Sequence, residues 1–597
     1  MQQAHEPALI APITTGGLVN PVIESARDFP NAVVLVKRHD SIWLDVTAAA
    51  FLDEVQSVAK GLIAKGIEPG QRIGLMSRTR YEWTLADYAI WYAGAVTVPI
   101  YETSSAEQLQ WILSDSDAVA IFNESPRHRE LLAEISDTLP EVRHTWTIDE
   151  GAIRDLMAAG RSVTDDVLER RRETVTPESL ATIIYTSGTT GRPKGCVLTH
   201  SNFMFECDNI VAALPELFMV GDSSTLLFLP LAHVFGRAIQ IGCVRSRTRL
   251  AFAPDVSNLL SDFATVKPTF VLSVPRVFEK IFNGASQKAQ AEGKGAIFER
   301  AAHVAQAYSQ ALSSGGASLP LKLQHAVFDR LVYRKLRAAM GGNVAWAVSG
   351  GAPLGERLGH FFRGVGITIL EGYGLTETSA AATLNRPTDI RVGTVGRPIP
   401  GSTICIAEDG EVLIKGPFVF ASYWKNETAT REAIDVDGWF HSGDIGVLDD
   451  AGFLRITGRK KEIIVTASGK NVAPAALEDR LRANWLVSQC IVVGDNQPFI
   501  GALITLDPES LPAWLEQHGR DAGAALADLS QDRELIADIQ VAVDDANRSV
   551  SHAEAIKKFA ILPVDWTEDN GLLTPSLKLK RAEVLKQFDS AVGDLYA

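Results

Sequence analysis

The densest chemistry in the chain lies in residues 185–195, Tyr-Thr-Ser-Gly-Thr-Thr-Gly-Arg-Pro-Lys-Gly. Glycines Gly188, Gly191 and Gly195 let backbone N–H groups come close to a ligand. The hydroxyls of Thr186, Ser187, Thr189 and Thr190 add donors for phosphate oxygens, and Lys194 supplies a point charge. This is the make-up of a polyphosphate cradle. It is not a Walker A loop, because Lys194 is followed by Gly195 instead of Ser or Thr and the glycine spacing differs. The alternative, a flexible surface loop, leaves so specific a string without a reason.

Other strings follow in order. Residues 228–237 read FLPLAHVFGR, 349–354 SGGAPL, 371–378 EGYGLTET, 439–446 WFHSGDIG, 458–461 GRKK and 573–581 LTPSLKLKR. Taken one at a time, several have plain readings. His233 suits a satisfied core histidine as well as a functional one. Gly350, Gly351 and Ala352 suit a strand-to-helix turn as well as a backbone on which a flat base lies. Asp444 and Arg459 are residue types usually found as solvated surface charges.

Together and in this order, the strings resemble the motifs of the AMP-forming adenylating enzymes, which include acyl-CoA synthetases, peptide-synthetase adenylation domains and luciferases. The resemblance spans about residues 70 to 581. It implies ATP binding by the cradle (Thr186, Ser187, Gly188, Thr189, Thr190, Gly191, Lys194), by Gly350, Gly351 and Ala352 along adenine, and by Glu371, Gly372, Tyr373 and Gly374. Tyr373 would pack on adenine, Thr376 would bond the α-phosphate and Glu377 would hold Mg²⁺, a cation that needs few carboxylates beside phosphate oxygens. Asp444 and Arg459 would hold the ribose. His233, Val234 and Phe235 would border the acyl pocket. Lys461 falls at the family's hinge, and Ser468, Gly469 and Lys470 on the loop that serves thiolation. Lys578 and Arg581 match the terminal motif of a lysine with an arginine three residues on. Leu577 replaces the usual glycine, so Lys580 stays the alternative catalytic lysine.

The variant motifs resemble the long-chain fatty acyl-CoA synthetase branch: YETSSAEQ at 101–108, KKEII at 460–464 and SGKNVAP at 468–474, with a helical insertion at 286–320. The implied reaction joins a long-chain fatty acid to AMP from ATP, then moves the acyl group to coenzyme A. One alternative is an acyl-AMP ligase that serves a carrier protein, against which the hinge and SGKNVAP speak. Another is an aromatic-acid ligase. A third is a non-catalytic acyl-binding scaffold, which the presence of Lys194, Glu377 and Lys578 opposes.

The elements must place these strings at one site. Runs at 72–77, 97–101, 269–275, 344–350 and 367–374 read as strands, with helical spacing at 81–93 and 105–113, so the pattern predicts a mainly parallel sheet covered by helices. Residues 403–407 and 411–415, and 439–448 and 453–458, flank turn signals and predict antiparallel hairpins. The expected architecture is α/β. A large N-terminal adenylating domain (1–459) would carry an antiparallel β subdomain at about 402–459, and a smaller mobile α+β domain (460–597) would follow.

Composition sets the outer bounds. The 597 residues are 46% hydrophobic and 22% charged, which argues against disorder. A net charge of −15 speaks against a nucleic-acid partner. From residue 461 on there are 13 basic and 21 acidic residues, yet 572–581 holds three cations and no acid. Such a cationic spot suits a local anionic target. Five widely spaced cysteines suggest neither a disulfide framework nor a zinc site. With no signal sequence or spanning segment visible, the expected location is the cytoplasm, with room for peripheral contact at the inner face of the membrane. Oligomeric state is left open.

Overall fold

From residue 72, strand and helix alternate as the pattern predicts. Arg72–Met76, Val96–Ile100 and Ala118–Asn123 are strands, separated by helices Tyr81–Tyr92 and Ala106–Asp115. The second helix opens on a capping box. Ser105 accepts from the Gln108 N–H, and the Gln108 side chain reaches back to the Ser105 N–H. These strands run parallel with one another and with His144–Thr147 and Leu180–Thr186. Lys194–Thr199 and Ser422–Tyr423 join antiparallel at one edge to complete seven strands. The computed structural model describes all residues but Met1, Asp40, Ser41, 187–191, 522–523, Ala525, Asp569, 575–577 and the side chain of Val256. The predicted cradle residues Ser187, Gly188, Thr189, Thr190 and Gly191 therefore lie outside the described residues.

A second sheet holds Phe270–Ser273, Trp346–Ser349 and Thr368–Tyr373 in parallel, with two short antiparallel strands, Thr383–Leu384 and Arg397–Pro398, at its edge. A third has four strands in the order Ser224–Leu227, Arg249–Phe252, Val33–His39, Ile42–Thr47. The predicted hairpins form a five-stranded antiparallel sheet from Thr403–Ile406, Glu411–Lys415, Phe440–Leu448 and Leu454–Arg459. Its fifth strand is Gln2–His5, which pairs with Thr403–Ile406 across some 400 residues of chain. No local pattern announces that pairing, because strand partners are chosen by the fold and not by neighbours in sequence.

Helix Tyr81–Tyr92 is buried on all sides except at Glu82, where helical spacing alone suggests a half-exposed face. Trp83 Nε1 is left without a hydrogen-bond partner among the described residues, but the other polar groups facing Arg237 are paired. Asp87 takes the Arg237 guanidinium at 2.5 and 3.1 Å and the Thr97 hydroxyl at 2.7 Å, and Thr84 donates to Gln240. Arg237 is itself fully buried among Trp83, Trp91 and Phe203. The predicted insertion at 286–320 is helical, but its helices begin earlier and run further: Pro275–Ala291, Gly295–Ser313 and Leu319–Phe328, continuing to Ala339.

The main apolar core draws on residues from Leu18 to Leu454, and separate cores begin at Ile464. In the latter region Val487–Val493, Ile500–Leu506 and Ile556–Ile561 form a three-stranded sheet covered by helices Pro474–Arg482 and Arg533–Asn547. No helix among the described residues is long and apolar enough to cross a membrane.

Candidate active site

The two strands that flank the cradle are held in register, Thr186 opposite Lys194, with the Thr186 hydroxyl 3.5 Å from the Lys194 carbonyl. The Lys194 ammonium lies 5.0 Å above the ring centre of Tyr423. The Tyr423 hydroxyl donates to Glu377 Oε1 at 2.7 Å. One phenol thus links the cradle lysine to the predicted metal carboxylate. Burial first, then the charge of Glu377, push the Tyr423 phenol well above its usual pKa, so it stays a donor.

Glu377 reaches this place through a tight reversal after strand Thr368–Tyr373. Gly374 must lack a side chain, since a Cβ there would stand 1.6 Å from the Ala380 carbonyl oxygen. Ser379 and Ala380 take φ values of +60° and +155°, a region side chains seldom adopt. Thr376 and Glu377 sit in the single 3₁₀ turn so formed, Thr376–Thr378. Glu377 is nearly buried. A single carboxylate linked through Tyr423 to Lys194 fits Mg²⁺, which is usually held by one or two carboxylates plus substrate phosphates. No group of three or more acidic, His or Cys ligands occurs among the described residues.

Tyr373, Asp444 and Arg459 form one cluster. The Tyr373 hydroxyl donates to Asp444 Oδ2 at 2.6 Å, and Arg459 Nε lies 3.0 Å from Oδ1. Asp444 and Arg459 are cross-strand partners, which brings them side by side across 15 residues of chain. Burial raises the Asp444 pKa, and the Arg459 charge opposes that rise. Gly350 packs beside the Phe235 ring and the Gly372 carbonyl, so the glycine turn, the aromatic motif and the Tyr373 strand meet. His233 caps helix Val234–Ser246, its Nδ1 accepting from the Phe235 N–H at 3.1 Å. The ring proton is therefore on Nε2. Burial, then the Lys578 charge, push His233 down to about 3, so the ring is neutral.

Lys578 enters this cleft from the C-terminal part. Its Cε is 3.8 Å from the position a Gly351 methyl would occupy. Burial and the Arg459 charge lower its pKa, while Asp444 and Glu377 counter them. Its loop is pinned on both sides. Thr574 donates its N–H to the Lys578 carbonyl, and the Lys578 N–H returns to the Thr574 hydroxyl. Arg581 bridges Glu478 at 2.6 Å and the Val492 carbonyl at 2.7 Å. Lys580, the alternative, has no ion pair among the described residues, and its N–H bonds the Leu572 carbonyl. Arg276 to Asp507, Lys280 to Glu509 and Gln287 to Ser510 tie the two parts together.

A family model described as "AMP-binding enzyme" matches residues 22–424, and one described as "AMP-binding enzyme C-terminal domain" matches 461–597. The chain belongs to the AMP-binding enzyme family. It is 52% identical to the long-chain-fatty-acid–CoA ligase FadD15 of Mycobacterium bovis, over 99% of each chain. It is 32% identical to the peroxisomal long chain acyl-CoA synthetase 7 of Arabidopsis thaliana, over 93% of this chain and 82% of that one. Among solved structures, the A domain of a carboxylic acid reductase from Segniliparus rugosus matches with a TM-score of 0.75 at 21% identity, covering 97% of this chain and 94% of that one. The anthranilate CoA ligase AuaEII matches with a TM-score of 0.73 at 19% identity, over 96% and 98%.

Not every predicted residue of this AMP-binding enzyme faces the cleft. The Glu371 carboxylate turns to the Leu354 N–H at 3.4 Å and the Gly393 backbone, holding the 350–354 turn from behind. Burial pushes it up to about 7. Ser468, Gly469 and Lys470 form the exposed tip of a hairpin between Ile464–Val465 and Asn471–Val472. Gly469 there has φ +78° and open space within 4 Å of where a Cβ would stand, and Lys470 pairs with Glu554. Lys461 is exposed in the 3₁₀ turn Lys460–Glu462. Sequence reasoning missed Tyr423. Its strand is two residues long, and its one local cue is the aromatic pair Tyr423–Trp424.

Proposed function

We propose that the protein is an ATP-dependent long-chain fatty acid–CoA ligase. It would join the acid to AMP with release of pyrophosphate, then transfer the acyl group to coenzyme A. The supporting relatives are full-length and named for this activity. The single structural observation that supports the mechanism is the entry of Lys578 beside the Gly351 turn, in the field of the Asp444–Arg459 pair and Glu377.

In the first half-reaction a carboxylate oxygen attacks the α-phosphorus and the bond to pyrophosphate breaks. Both partners are anions, so neutralised and fixed charge is the main demand. The cradle with Lys194 would take the outgoing phosphates, and Thr376 and Lys578 the α-phosphate. Glu377, with Tyr423 behind it, would hold Mg²⁺, which when bound offsets phosphate charge. Asp444 and Arg459 would take the ribose hydroxyls, and Tyr373 with Gly350, Gly351, Ala352, Gly372 and Gly374 would line the base. Neutral His233, with Val234 and Phe235, would border the acyl group without adding charge beside the reacting carboxylate. Glu371 acts from behind as a positioning residue.

In the second half-reaction the thiol sulfur bonds the acyl carbon and AMP leaves. Lys578 then stands where the thiol must arrive. The chain would divide into domains 1–459 and 460–597, with residues 402–459 as a β subdomain, hinged at exposed Lys461. Rotation would withdraw Lys578 and bring the hairpin of Ser468, Gly469 and Lys470 to the cleft.

The test is pyrophosphate release with Mg-ATP across acids from acetate to long-chain fatty acids and benzoate, with and without CoA. Preference for long chains, turnover that needs CoA, and an acyl thioester product support the reading. Adenylation indifferent to CoA would make the protein an acyl-AMP ligase, and silence across the panel a scaffold.

A further inference from the structure

The helical run 319–339 carries two apolar faces. The inner one is engaged: His325 stacks on Tyr308 at 3.9 Å and meets the Gly364 carbonyl, Tyr333 donates to the Ala301 carbonyl, and Leu336 is buried. The outer one is not. Leu319, Leu323, Val327 and Leu331, four residues apart, are 77%, 70%, 56% and 51% exposed. Side chains at this spacing line one side of a helix. None of the residues of helix Leu319–Phe328 is buried. A row of large aliphatic side chains in water is unfavourable unless something covers it.

The charge around the row selects the cover. Residues 319–339 hold five basic side chains (Lys322, Arg330, Arg334, Lys335, Arg337) and one acid, Asp329, in a chain of net charge −15. Asp329 is already bridged to Arg334 and Arg337. Among the described residues, exposed Lys322, Arg330 and Lys335 have no acidic partner within ion-pair reach. Aliphatic residues flanked by unpaired cations on a helix lying along the surface match the make-up of interfacial helices on anionic lipid. A protein partner fits less well, because the row lacks the exposed Trp and Tyr anchors typical of protein interfaces.

We propose that the outer face of residues 319–335 is a docking surface for an anionic lipid bilayer. Leu319, Leu323, Val327 and Leu331 would enter the acyl boundary, and Lys322, Arg330 and Lys335 would sit among the headgroups. The surface stands on its own residues and does not depend on the reading of the active site. A long-chain acid partitions into bilayers, so an enzyme docked there meets its substrate at source.

The experiment is flotation of the purified full chain with phosphatidylcholine vesicles, with or without about one-third phosphatidylglycerol, at low and high salt. The wild type is expected to float with the anionic vesicles and to lose most binding on neutral ones or in high salt. The triple variant Leu319→Gln, Leu323→Gln, Val327→Gln and the double variant Lys322→Glu, Arg330→Glu should each bind roughly tenfold less. Both should keep the wild-type melting temperature and the wild-type adenylation rate on detergent-dispersed acid. Failure of the wild type to float, or undiminished flotation of both variants, overturns the proposal. So does a wild-type dimer that the triple variant turns into a monomer, with no vesicle binding in either, which would make the row a contact between copies.

Discussion

Tyr423 ties two charged groups of the site together, and its two contacts can be separated. Phe in its place keeps the ring under Lys194 and removes the donor to Glu377. A hydrogen bond to a charged group contributes about 1.5–3 kcal/mol, so Tyr423→Phe should lower kcat/KM for Mg-ATP about tenfold or more. Pyrophosphate exchange against Mg-ATP concentration reads this, and an unchanged Phe variant would remove Tyr423 from the site. Glu371 gives a prediction about stability. Its folded pKa, about 7, lies above the ordinary carboxylate value, so the folded state holds the proton more tightly than the unfolded chain. Stability is then lost as pH rises from about 4.5 to about 7, by roughly 3 kcal/mol. Glu371→Gln keeps an acceptor for the Leu354 N–H and removes the titration. Denaturant midpoints at pH 5 and pH 8 should draw closer together in the variant than in the wild type. Equal differences would show that this carboxyl does not titrate in that range.

At the scale of elements, what was legible had local causes. Strands 72–76 and 96–100, the capped helix 106–115 and the hairpin across the Glu408–Gly410 turn all follow from period, turn residues and caps. Asp444 and Arg459 were legible only as motif members, because their meeting depends on cross-strand register. Gln2–His5 and Tyr423 were not legible, since each is a short strand whose partner is distant in sequence. The outward turn of Glu371 was also hidden: a motif string does not say which way a strand residue faces. The terminal loop is a case where spacing and packing agree. Lys578 and Arg581 are three apart, and Arg581 is the anchor, joined to nearly buried Glu478. Removing one partner of such a pair leaves the other charge stranded and costs about 3 kcal/mol or more. Arg581→Leu should therefore lower the stability of the C-terminal part by that order. It should also slow adenylation more than acyl transfer from supplied acyl-AMP. Loss of neither would mean that the loop is held by other contacts.

Across the whole molecule, the proposed function asks one cleft to serve two reactions in turn. Lys578 lies beside the Gly351 turn and the Gly469 hairpin is exposed to solvent, the arrangement proposed for the first. Among the polar contacts that link the two parts, Lys280–Glu509 is exposed, whereas Arg276–Asp507, Gln287–Ser510 and Arg357 to the Ala483 carbonyl are partly buried, so rotation must break them. The most direct test is to assay the two half-reactions of Lys578→Ala separately, with Lys580→Ala beside it. Lys578→Ala should lose acyl-adenylate formation by at least about a hundredfold. It should still convert supplied acyl-AMP and CoA to thioester near the wild-type rate, and Lys580→Ala should resemble the wild type in both. Adenylation by Lys578→Ala at the wild-type rate, or equal loss of both half-reactions, would contradict the account.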